Sequence, residues 1–164
     1  MTPHMLEWAC RAQRHVARST FAAELLSAAD AADQGILVSH MLYEVANGPM
    51  TAAEARQRRE SQGFLPMSLV VDAKSVYAAV TASFLKTPAE KSLLSQVQYI
   101  RELLDGHVLQ AIVWADTRDM EADGLTKGSV DRAALHALME SKSHWRQPCE
   151  VWKTKKVISS GDTP

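Results

Sequence analysis

Two apolar runs, SLVV ending at Val71 and HVLQAIVW ending at Trp114, most constrain the fold of this chain. Both are short, hold β-branched residues and stay apolar at consecutive positions. That is the pattern of a strand buried on both faces. The first, over residues 67–71, passes straight into a small-residue helical stretch, AKSVYAAVTAS, over residues 73–83. At the joint sits a carboxylate, Asp72. A second helical segment carries Leu94, Val97, Ile100, Arg101 and Leu104, and stops at Asp105-Gly106. The second run follows over residues 107–114. The order strand–helix–helix–strand–helix predicts an α/β layered fold with its two strands parallel. The crossover between them is expected to be right-handed.

The flanks carry their own punctuation. Ser19 or Thr20 caps a long helix reaching about residue 45. Its stripe is Phe21, Leu25, Ala28, Ala32, Ile36 and Tyr43, and Asn47-Gly48-Pro49 ends it. Thr51 and Glu54 form a capping box for a polar helix with Arg56, Arg58 and Arg59, closed by Gly63 and Pro66. Thr87 and Glu90 form a second box, with Pro88 at the first helical position. Ser129 caps a last helix to about residue 140. A short strand is expected over residues 4–10, around Leu6 and Trp8, followed by a basic stretch with Arg11, Arg14, His15 and Arg18. Residues 4–140 therefore read as one domain. Residues 141–164 read as a basic, aromatic-containing tail without a period.

Composition narrows the function classes. The chain has 164 residues and a formal net charge of −1, so nucleic-acid binding has to come from local patches. The candidates are the three arginines at 56–59, and Lys153, Lys155 and Lys156 interleaved with Trp145 and Trp152. The first group reads more simply as a solvated helix face, the second equally as a loose tail. No apolar run is long enough to span a bilayer, and no secretory signal is visible at the N-terminus, so no membrane partner is expected. Cys10 and Cys149 lie far apart, which fits a reducing intracellular setting. His144 and Cys149 are too few ligands for a zinc site. There is no GxxxxGK[ST], GxGxxG or GxSxG, so nucleotide-binding and acyl-transfer readings lack support.

The carboxylates carry the chemistry. In open α/β sheets, functional groups gather at the carboxyl ends of strands. Asp72 ends one strand, and Asp116, Asp119, Glu121 and Asp123 follow the other. Glu24 lies at the edge of an apolar helical stripe, where a lone carboxylate is costly unless paired or metal-bound. Each has a plainer reading: Asp72 as a helix cap, Asp123 as turn chemistry before Gly124, Glu24 as a snorkelling side chain. Convergent carboxylates from separate elements are also what hard divalent cations require.

Four segments carry a resemblance. They are RSTFAAELLSA (residues 18–28), LVVDAKSVYAAV (69–80), QYIREL (98–103) and ADTRDMEADGLTKG (115–128). In this order the chain resembles the ribonuclease H domain at the end of the polyprotein of copia-type LTR retrotransposons. LEWACRAQRHVARST is similar to that family's third strand and the approach to its first helix. The resemblance implies a ribonuclease H-like layered fold with a partial mixed sheet covered by helices. It implies hydrolysis of the RNA strand of an RNA–DNA hybrid with two Mg²⁺ ions, or Mn²⁺. Glu24, Asp72 and Asp123 would be the catalytic and metal-binding carboxylates. Two ions about 3.5–4 Å apart would clamp the attacking water and the leaving oxygen. An upstream reverse transcriptase domain of the same polyprotein would be the protein partner, in a cytoplasmic particle or the nucleus.

One departure qualifies the implied activity. The family's site also takes an Asp from its first strand, which precedes the segment matching residues 4–10. The expectation is therefore an N-terminally truncated sheet, whose strand at 67–71 keeps one neighbour and leaves its other edge open. Impaired cleavage is expected with it. The alternative is a non-catalytic retroelement remnant that only binds or packs. The loop after the last strand also lacks a His for proton transfer.

Overall fold

The computed structural model describes residues 6–7, 16–61, 63–84, 91–120, 123, 128–129, 132–140, 142 and 146–154. Its longest element is α1, Thr20–Asn47. The Ser19 hydroxyl accepts from the Ala22 N–H at 3.1 Å and starts the helix. Gly48, at φ 95°, ends it by donating its N–H to the Glu44 carbonyl. Ala22, Leu25, Ala28, Ala32 and Ile36 form the buried stripe. None of these five is larger than Leu and three are Ala, which lets α1 lie close against its neighbours. The buried hydroxyl of Ser39 turns back to the Ile36 carbonyl.

The short helix α2, Ala52–Ser61, opens with the expected capping box. Thr51 N–H donates to Glu54 Oε2 at 2.8 Å, and Glu54 N–H to Thr51 Oγ1 at 3.3 Å. None of its residues is fully buried. It is held by Ala55, which packs on the core, and by Arg58, whose guanidinium lies 4.1 Å from the Tyr43 ring centroid. Arg56 and Arg59 are exposed, and Arg59 also reaches the Tyr99 hydroxyl, so the members of the cluster have different surroundings.

Strand β1 is Ser68–Val71 and β2 is Ala111–Trp114. They pair in parallel from Ser68↔Ala111 to Val71↔Trp114. Between them run α3, Lys74–Thr81, and α4, Leu94–Asp105, the latter preceded by a 3₁₀ turn at Lys91–Leu93. The parallel pair and its helical crossover are as the element order predicts. After β2 come α5, Ala133–Met139, and β3, Glu150–Trp152. Strand β3 pairs antiparallel with β2, giving a mixed sheet in the order β1-β2-β3. Helices α1, α3 and α4 pack with Leu69, Val71 and Ile112 into one core, with Leu25, Ile100, Leu104, Val76 and Val80 at its centre. None of the described helices is long and apolar enough to cross a membrane.

Four local expectations need correction. Strand β1 is not buried on both faces: Leu69 and Val71 point inward, but Ser68 and Val70 are exposed. Among the described residues its one sheet neighbour is β2, and the helices that touch it lie on the Leu69–Val71 side. Burial on both faces belongs to β2, where Ala111, Ile112 and Val113 are all buried. The second strand does not start at His107. That residue sits at φ 57°, and His107 and Leu109 donate N–H groups back to Leu104 and Leu103 to close α4. Val108 and Leu109 are buried as loop, not as strand. Ser129 does not cap the last helix, which begins at Ala133 after an Arg132 cap without a side-chain bond. Finally, the segment beyond residue 140 supplies a strand of the sheet.

The expected strand over residues 4–10 lies outside the described residues except for Leu6 and Glu7, which are in neither helix nor strand. The Thr87–Glu90 box, Glu121, His144, Trp145, Lys155 and Lys156 also lie outside them, as do Arg11, Arg14 and His15.

Candidate functional site

The carboxyl ends of β1 and β2 lie side by side because the strands are parallel and in register at Val71↔Trp114. Asp72 follows β1 directly, and its side chain is half-buried. The Trp114 indole N–H donates to the Asp72 backbone carbonyl at 2.9 Å. That bond fixes the turn from strand to helix. The plain reading of Asp72 as a cap does not describe it. The cap position of α3 belongs to Ala73, and no side chain caps that helix. Among the described residues the Asp72 carboxylate makes no hydrogen bond or ion pair.

Lys74 and Glu150 complete this strand end. The Lys74 ammonium lies 4.2 Å from the centroid of the Trp114 ring and 5.4 Å from that of Tyr77. It forms an ion pair with Glu150, which stands opposite Trp114 in the β2–β3 register. Both side chains of the pair are about half exposed. The sequence reads Trp114 most simply as core, and it does pack against the core, but its contacts with Asp72 and Lys74 and the place of Lys74 itself were not foreseen. The signal was position: Lys74 lies two residues beyond Asp72, and Trp114 is the last residue of the second parallel strand.

The carboxylates after β2 divide into separate tasks. Asp116 caps a 3₁₀ turn at Thr117–Asp119 and holds Arg118 in a two-pronged pair, Nε at 2.8 Å and Nη2 at 2.9 Å. The hydrogen bonds from the Arg118 side chain and backbone pull its pKa down to about 2. Asp119 is buried and points the other way. Its Oδ2 accepts the backbone N–H groups of Arg146 at 2.9 Å and Gln147 at 2.6 Å. It anchors the segment that leads into β3. Asp123 is half-buried, and its N–H donates to the Met120 carbonyl. Glu24 is half-buried on α1, between Ala22 and Leu25 of the core stripe.

Glu24, Asp72 and Asp123 thus stand on three separate elements, each only partly exposed. Among the described residues no three His, Cys, Asp or Glu side chains are grouped so as to hold a metal ion. Of the other candidates, Lys153 and Cys149 are exposed, and Cys149 is a free thiol. No family model, curated protein or solved structure matches the chain.

Proposed function

We propose that this chain is a ribonuclease H-like domain of retroelement origin. Its ancestral reaction is divalent-metal-dependent hydrolysis of the RNA strand of RNA–DNA hybrids, and its own cleavage is weak. The order of the four resembling segments supports the reading, as does a mixed α/β sheet that ends a parallel strand on Asp72. One observation carries it: Asp72 is a half-buried carboxylate at the carboxyl end of a parallel strand, with no hydrogen bond or ion pair among the described residues. Its side chain is not committed to capping α3. A carboxylate left uncommitted at the carboxyl end of a parallel strand is placed where ligands of open α/β sheets bind. Glu24 and Asp123 are its proposed companions, an upstream reverse transcriptase domain its proposed partner, and the cell interior its proposed location.

The test is calorimetric titration with Mg²⁺ and Mn²⁺, paired with a cleavage assay on an end-labelled RNA–DNA hybrid. Metal binding that is lost in Asp72→Asn and weakened in Glu24→Gln and Asp123→Asn supports the reading, with slow, Asp72-dependent cleavage of the RNA strand. Robust cleavage lost in Asp72→Asn would keep the nuclease assignment and overturn the weakness. Metal binding or cleavage indifferent to all three substitutions would refute the site. Absence of both favours a second reading, a non-catalytic module that binds or packs. The edge position of β1 among the described residues, with Val70 exposed on its face, is the observation behind that alternative.

A further inference from the structure

We infer that Lys74 is a nucleic-acid phosphate contact held in reserve by Glu150, an inference that rests on the nuclease reading for its substrate class. Three contacts define the position of the ammonium. Trp114 lies beneath it at 4.2 Å, Tyr77 flanks it at 5.4 Å, and the Glu150 carboxylate closes on it. A lysine in the first turn of a helix gains nothing from the helix dipole, which favours anions there. Its place is therefore set by the two rings and by Glu150, not by α3. Two aromatic faces beneath a lysine pre-order a long side chain that otherwise loses rotamer freedom on binding.

Glu150 occupies the place an anion takes beside Lys74. It is presented by β3, a strand of three residues at the sheet edge, and both partners are about half exposed. Exposed pairs of this kind contribute little, about 0–1 kcal/mol. A phosphate of a nucleic-acid backbone carries a charge of the same sign and brings counterion release besides, so it displaces the carboxylate at low ionic strength. Lys74 lies two residues from Asp72 and on the ring of the residue whose indole holds the Asp72 carbonyl. A phosphate on Lys74 would therefore lie at the same strand end as the proposed reacting carboxylate. Lys74 is assigned a positioning role, not a chemical one.

The experiment compares wild type, Glu150→Gln, Lys74→Met and the double variant for binding to a fluorescent RNA–DNA hybrid, a DNA duplex and single-stranded DNA across a salt series. Glu150→Gln keeps the strand pairing and removes the competing charge. It is expected to tighten hybrid binding roughly two- to fivefold at low salt, the size of one exposed charge pair. The slope of log K against log salt is expected to steepen by about 0.9, one phosphate. Lys74→Met is expected to cancel both gains in the double variant. If Glu150→Gln tightens all three nucleic acids equally, the Lys74 contact stands and the hybrid-specific reading fails. If hybrid is preferred but Glu150→Gln changes neither affinity nor slope, the nuclease reading stands and the Lys74 contact is refuted. If none of the proteins binds any of the three, both are refuted. Matching thermal melts of the four proteins confirm that the comparison is between folded chains.

Discussion

Asp119→Ala tests whether a buried carboxylate after β2 holds the last strand in place. The substitution removes the acceptor of two backbone N–H groups, those of Arg146 and Gln147. Hydrogen bonds to a charged acceptor contribute roughly 1.5–3 kcal/mol each. Arg146 is exposed and Gln147 half-buried, so water recovers part of the loss. About 2–3 kcal/mol for the pair follows. The loss is local, because α1, α3 and α4 pack around Leu25, Ile100 and Leu104 without Asp119. At tenfold per 1.4 kcal/mol, the β3 amides are expected to exchange with solvent roughly 30- to 150-fold faster. Amides of α1 and α4 are expected to keep their wild-type rates. Asp119→Asn retains an oxygen acceptor without the charge and is expected to lose about half as much. Native-state hydrogen exchange followed by NMR resolves both regions in one sample. Exchange of β3 within threefold of wild type would refute the anchoring role. Equal acceleration in α4 would refute its locality.

Two further outcomes follow from other contacts. Burial, then the hydrogen bond to Asp33, pushes the Tyr99 hydroxyl up to about 12. An unfolded tyrosine titrates near 10, so this contribution is whole below about pH 10 and is lost as pH rises toward 12. Urea midpoints are expected to fall across that window in wild type and to fall less in Tyr99→Phe; identical profiles would refute the assignment. Gly63 sits at φ 73°, and an added Cβ would meet the Val108 Cα at 3.3 Å. Gly63→Ala is therefore expected to cost about 1–3 kcal/mol in equilibrium unfolding, and an unchanged midpoint would contradict it.

Much of the helical frame could be read from short-range signals. Ser19, Gly48, and the Thr51–Glu54 pair act on residues three or four away, so a linear pattern carries them. The parallel pairing of β1 and β2 was legible from element order alone. Strand burial was not, because LVV and HVLQAIVW look alike while their surroundings differ. One lies at a described edge of the sheet, and the other is flanked by strands on both sides. Strand β3 is three residues long and too short to show a period. The structural task of Asp119 leaves no trace in side-chain types, since its partners are backbone N–H groups 27 and 28 residues away. Of the proposed site, the strand-end position of Asp72 was foreseen. Its neighbours Lys74, Trp114 and Glu150 depend on register between distant strands.

The middle place of β2 has a consequence for synthesis. Its two neighbours come from opposite sides of it in the chain, β1 before and β3 after. As a ribosome extends the protein at about 5–20 residues per second, β1 and β2 can pair first. The second edge of β2 then stays bare until Glu150–Trp152 has cleared the exit tunnel. A transcript broken upstream of Glu150 would release a chain whose most buried strand has an unpaired, apolar flank. Such a product is a template for strand addition between copies, which makes the synthesis of β3 decisive for solubility.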